Sequence, residues 1–257
     1  MSIYNYDLKY ASKVIDGDYS ILKLISNFDA YKLPLKEGEI LFFTRLWTLL
    51  GCLNEKGFQI QCNKEEARFF RSQMAKAILA VVDVLLLQRG VYHPSYRERI
   101  QRLISLYPKN IEFNELSKWA LKEKLNPSSE KINPKDIQSL YNKVHKEYFF
   151  HMMGFFSKYY NEKVNSVYDI ERHTKYSFVY LIRRLGYLMI KRNFRGEKIL
   201  AIKMAQMFIA VAYEDGNINN ELFRKGIKYM KYIDSSISDE LSWNKARILV
   251  AKMRNEL

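Results

Sequence analysis

Asp83 interrupts the most apolar stretch of the chain, AKAILAVVDVLLL at residues 75–87. At helical spacing its neighbours are Leu79, Val82 and Leu86, so the carboxylate is carried toward the interior. A buried carboxylate needs a charged or hydrogen-bonding partner, and Arg45, Arg71 and Arg89 are candidates. So placed, Asp83 reads either as a general base or ligand contact, or as one half of an internal ion pair that fixes helix register. Directly downstream, QRGVYHPSYRER (88–99) gathers three arginines, two tyrosines and a histidine. Arg89 and His93 are four residues apart. A histidine can move a proton while an arginine stabilises charge developing on a phosphorane, which is the chemistry of RNA cleavage. The same two residues also suit a helix corner, with Arg89 at the carbonyl end of the dipole and His93 in the turn before Pro94. Tyr96, Arg97, Arg99 and Arg102 fall on the next helix, whose core face is Ile100, Leu103, Ile104 and Tyr107. Arg97 and Arg99 therefore cannot both point inward. One of them is expected to reach Asp83 or a phosphate, an anion well matched to a guanidinium fork. On the binding reading, Asp83, Arg89, Tyr92, His93, Tyr96 and Arg97 line a ligand site.

A second constellation lies in SFVYLIRRLGYLMIKR (177–192). Its apolar face is Phe178, Leu181, Ile182, Leu185, Leu188 and Met189. The opposite face carries Tyr176, Tyr180, Arg183, Arg184, Tyr187 and Lys191. Tyrosines interleaved with cations suit base stacking and phosphate neutralisation. They equally suit packing against another lobe or protein. Asp16-Gly17-Asp18 is a lone DxD pair that reads as a helix N-cap. No P-loop, dinucleotide fingerprint, HExxH or zinc spacing occurs, and His145 and His151, six apart, share a helix face poorly. No metal site and no cofactor are expected.

The elements that must position these groups are helical. Glycine (10) and proline (5) are scarce in 257 residues, and period-two alternation never lasts. Helices are expected at about 17–28, 36–54, 64–88, 94–107, 114–125, 134–161, 167–193, 196–214, 218–235 and 238–256. The 36–54 helix would bury Ile40, Phe43, Trp47 and Leu50. Asn63 and Glu66 form a capping box, Gly90 stops the long helix, and Asn114 caps a later one. NPSSEKINP (126–134) is the best linker, so the reading is all-α in two lobes, 1–126 and a basic 127–257. Residues 1–130 hold 19 Lys/Arg against 15 Asp/Glu, and the rest 23 against 13, for a net +14. Such a balance draws polyanions or acidic proteins, or serves solubility alone. Two cysteines, no apolar leader and no bilayer-length apolar run give a soluble, cytoplasmic expectation.

Four segments carry a resemblance: YDLKYASKVIDGD (6–18), LKEGEILFFTRLWTLL (35–50), MAKAILAVVDVLLLQRGVYHPSYRER (74–99) and ALKEKLNPS (120–128). Over residues 4–150 the chain resembles the helical C-terminal region of nucleotidyltransferase-like proteins, a HEPN-like or kanamycin-nucleotidyltransferase-type bundle. That resemblance implies an up-down first bundle that holds substrate beside a nucleotidyltransferase domain or subunit. The Gly-Ser turn and metal-binding aspartates of such an enzyme domain are absent, so the resemblance implies a non-catalytic module contacting a nucleotide or another phosphate-bearing ligand. Two alternatives remain open. One is a HEPN-like ribonuclease or RNA-binding protein using Arg89 and His93, although their spacing is shorter than that family's motif and Gly90 replaces its usual polar residue. The other is a protein-interaction scaffold.

Overall fold

The computed structural model describes residues 2–18, 20–58, 62–175 and 195–253. Among these residues ten α-helices build an all-α fold: α1 (Ile3–Ala11), α2 (Lys36–Gly51), α3 (Lys64–Gln88), α4 (Tyr96–Leu106), α5 (Ile111–Leu125), α6 (Pro134–Tyr160), α7 (Val167–Lys175), α8 (Arg195–Val211), α9 (Asn220–Ile233) and α10 (Trp243–Met253). A hairpin of two short strands, β1 (Tyr213–Glu214) and β2 (Asn217–Ile218), joins α8 to α9. Its turn holds Asp215 and Gly216 at positive φ. Among the described residues no helix is long and apolar enough to cross a membrane.

Local chemistry sets several boundaries. The Asn63 side chain accepts from the Glu66 N–H at 2.9 Å, and the Glu66 carboxylate accepts from the Asn63 N–H at 3.0 Å. This is the reciprocal capping box that starts α3. Gly90, with φ +68°, turns the chain after it. Asn133 caps α6 with Pro134 in its first turn, and Asn161 ends it in the left-handed region.

Other boundaries differ from the sequence expectation. The stretch expected as a helix at 17–28 holds one short 3₁₀ turn, Ile21–Leu24, and a second follows it at Ala30–Lys32. Ile21 and Leu24 are exposed there, and only Ile25 and Phe28 are seated, against the N-terminal cluster. Asp18 accepts from the N–H and the hydroxyl of Ser20, stabilising a turn instead of capping an α-helix. Helix α1, not anticipated, starts at Ser2, whose hydroxyl accepts from the Asn5 N–H. Asn110, not Asn114, caps α5; Asn114 is buried inside it and donates to the Tyr107 carbonyl at 2.9 Å. In α2 the buried face is Phe42, Phe43, Leu46, Leu49 and Leu50, while Ile40 is 43% exposed.

Helix α3 is the axis of the molecule and packs against α2, α4, α5 and α6; α8 packs on α2, α9 and α10. Gly38 permits the close approach of α2 to its neighbours, because a Cβ there would lie 2.6 Å from the Phe155 ring. One buried apolar cluster extends from Phe42 to Met253 and includes residues on both sides of residue 126. A smaller one (Ile3, Phe28, Leu33, Leu87 and Tyr92) seats the N-terminal segment on the end of α3.

Candidate functional site

The corner between α3 and α4 is organised around Arg99, whose side chain is 1% exposed. Residue 99 falls on the first turn of α4 beside Ile100 and Leu103, both buried, so the helix aims the guanidinium at α3. Its Nη1 donates to both oxygens of Asp83 at 3.0 and 3.1 Å. Its Nη2 donates to both oxygens of Asp7 at 2.9 Å and to the Pro94 carbonyl at 3.1 Å, and its Nε donates to the His93 carbonyl. Every nitrogen of the fork is therefore engaged. The guanidinium is also sandwiched between two rings, 4.3 Å from the centroid of Tyr92 and 4.4 Å from that of Tyr96. The Tyr92 hydroxyl donates to Asp7 at 2.9 Å. Three distant parts of the chain, α1, the end of α3 and α4, are thus tied by one side chain.

Two carboxylates share this single guanidinium. Burial pushes the Asp83 carboxyl up to about 6; Arg99 pulls it down, Asp7 adds to the rise, and Arg45 contributes a smaller pull downward. Burial alone would lower the Arg99 pKa, but Asp83, Tyr92 and Asp7 outweigh it and keep the side chain charged. Burial and the neighbouring carboxylates hold Tyr92 in its phenol form.

The residues expected to line one ligand site separate into two groups. Asp83 and Tyr92 are buried in the clasp, and Tyr96 covers it. The side chains of Arg89, Arg97 and His93 are not part of it, although the His93 carbonyl accepts from Arg99. Arg89 is exposed and donates from Nε to the Tyr107 hydroxyl at 3.2 Å. His93 is half-buried, and its Nδ1 accepts from the Ser95 N–H at 3.1 Å. No hydrogen bond or ion pair joins Arg89 to His93. Arg97 is exposed and pairs with no described residue. Asp83 receives its charge partner from Arg99, not from Arg45, Arg71 or Arg89. Arg71 instead donates to the Glu130 carbonyl.

The second expected face, Tyr176, Tyr180, Arg183, Arg184, Tyr187 and Lys191, lies outside the described residues. His145 and His151 serve separate contacts: His145 Nε2 lies 2.9 Å from the Ala210 carbonyl, and His151 is 3.4 Å from Glu147. Among the described residues no group of three metal-ligating side chains gathers. Two further cavities are present, the second reaching Gln88 at the end of α3. One of about 410 Å³ is lined by Cys52, Cys62, Glu66 and Phe69, and one of about 570 Å³ by Leu85, Phe150, His151 and Lys163.

Sequence reasoning missed Asp7 and Arg247. Asp7 had a legible local signal, since Ser2 is a good N-cap and Ile3, Tyr6 and Tyr10 recur at helical spacing. Arg247 is fully buried; its Nη1 donates to the Leu50 and Leu53 carbonyls at 2.9 and 2.8 Å, and its Nη2 donates to that of Asn54. Nothing near residue 247 in the sequence announces that role. No protein-family model, curated protein or solved structure matches the chain.

Proposed function

We propose that the chain is a non-catalytic helical module that binds a phosphate-bearing ligand, a nucleotide or RNA, beside a nucleotidyltransferase. The observation that carries this reading is the division of the corner arginines. Arg99 is wholly engaged inside, whereas Arg97, two residues earlier, is exposed and unpaired. The clasp leaves no free base or nucleophile at Asp83 or Tyr92, which favours a structural over a catalytic role for them. The outward arginine and the net charge of +14 favour a polyanion as ligand. The link to a nucleotidyltransferase rests on the resemblance of residues 4–150, and a cytoplasmic setting accords with it.

Calorimetric titration of the full chain with ATP and with a short RNA tests the reading. Arg97→Ala is expected to leave the melting temperature within about 1 °C, because surface changes are nearly neutral. It is expected to weaken binding several-fold, in keeping with loss of one phosphate contact. The affinity should fall steeply as salt rises. Failure of the unaltered protein to bind either ligand at low salt would end the reading.

A further inference from the structure

Three cations from three helices gather on the flank of α3. Lys76 of α3 senses both Arg45 of α2 and Lys124 of α5, and burial together with these two like charges lowers its pKa. None of the three makes an ion pair or hydrogen bond with a described residue. The Nε of Arg45 is buried, yet donates to nothing. The Lys124 ammonium stands 5.5 Å from the centroid of Tyr96, the ring that also covers Arg99. One turn along α2 from Arg45, the buried hydroxyl of Thr48 has no partner; one turn along α3 from Lys76, the buried amide oxygen of Gln73 has none either.

Nearby acids form no ion pair with the group, although Asp83 feels Arg45 through space. Asp83 and Asp7 are both held by Arg99, and the Glu123 carboxylate accepts from the Ser128 N–H. Like charges brought together in a half-buried seam repel, and a buried donor without an acceptor is costly. An anion lodged among them removes both penalties.

We infer that Arg45, Lys76 and Lys124 form a binding site for a phosphate group. The inference rests on the reading of the chain as a binder of phosphate-bearing ligands, and it moves the main contact from the α3–α4 corner to the α2–α3–α5 seam. A phosphate group suits the seam better than a carboxylate. It offers acceptor oxygens in several directions for the three cations and Thr48, and its protonated form carries a hydroxyl that Gln73 can accept.

Thermal melting of the full chain, with inorganic phosphate, sulfate, AMP, and one RNA oligomer bearing either a 5′-phosphate or a 5′-hydroxyl, supplies the test. A ligand that binds only the folded chain raises Tm in step with its concentration. Phosphate is expected to raise Tm more than sulfate does. AMP and the 5′-phosphorylated oligomer should separate a mononucleotide site from a strand-end site. Lys76→Met is expected to melt at or above the unaltered protein without ligand, because a repulsion is removed. Its phosphate affinity should fall by about tenfold, the worth of one charge-assisted contact. The exposed Lys124→Gln should lose affinity in the same sense. A site role thus predicts loss of affinity without loss of ligand-free stability, which a merely structural role does not. Wild-type phosphate affinity in both variants, while Arg97→Ala alone weakens binding, would overturn the seam and leave the corner reading in place. No binding of any phosphate-bearing ligand would remove both.

Discussion

Arg99 is the side chain on which the corner depends. It lies on α4 and ties a carboxylate 92 residues away on α1 to one 16 residues away on α3. Removing it strands two carboxylates in a half-dry site, and breaking a buried ion pair costs about 3–5 kcal/mol. Arg99→Met is therefore expected to lower Tm by about 10 °C, at the few degrees per kcal/mol that a chain of this size shows. Arg99→Lys should recover little, because a single ammonium cannot span two carboxylates and two carbonyls or stack between two tyrosines. Differential scanning calorimetry of both variants decides the point; wild-type melting in Arg99→Lys would show that charge alone suffices.

At the scale of elements, the molecule closes its helix ends with side chains from far along the chain. The C-terminal turn of α2 and the loop after it leave carbonyls that no further turn accepts, and Arg247 of α10 donates to three of them. Arg247 also holds α10 against α2, with its guanidinium 5.5 Å from the Trp243 ring centroid. Arg247→Met keeps most of the apolar stem but abandons those carbonyls. A loss of about 2–4 kcal/mol is expected, from hydrogen bonds to a charged donor worth about 1.5–3 kcal/mol each before relaxation. Chemical denaturation of the variant measures it, and an unchanged midpoint would mean that water replaces the arginine without cost.

At the scale of the whole molecule, two buried titratable groups act against each other. Stability rises with pH wherever the unfolded chain binds more protons than the folded one. Burial pushes Asp83 up from 3.8 to about 6, so the folded state binds its proton more tightly, and this group adds stability as pH falls through that window. Burial pulls His145 down from 6.5 to about 4, so the unfolded chain binds its proton more tightly, and this group removes stability as pH falls from 6.5 toward 4. The two contributions overlap between about 4 and 6 and oppose each other. In Asp83→Asn only the histidine contribution remains. The drop in Tm from pH 6.5 to pH 4 should therefore be larger in the variant than in the unaltered protein, carboxylates away from Arg99 contributing equally to both. An equal or smaller drop would show that Asp83 stays ionised throughout.

What the sequence determined by itself was local. Helical periodicity, the Asn63–Glu66 capping box, Gly90 and Asn133-Pro134 defined α3 and α6 closely, because a cap or a stop is decided by residues within about one turn of it. The same locality made Asp83 legible as a buried carboxylate in need of a partner. It could not say which arginine answers, since Arg89 closes α3 while Arg97 and Arg99 differ only in where α4 points them once it packs on α3. The 17–28 segment failed for the converse reason: its apolar residues suit a helix, but Ile21 and Leu24 stay exposed and only Ile25 and Phe28 find neighbours. Only the tertiary structure joined Asp7 to Arg99 and Arg247 to Leu50, and brought Arg45 and Lys124 within electrostatic reach of Lys76. Those residues are brought together by helix packing, and electrostatic partnership depends on distance through space, which sequence separation does not encode.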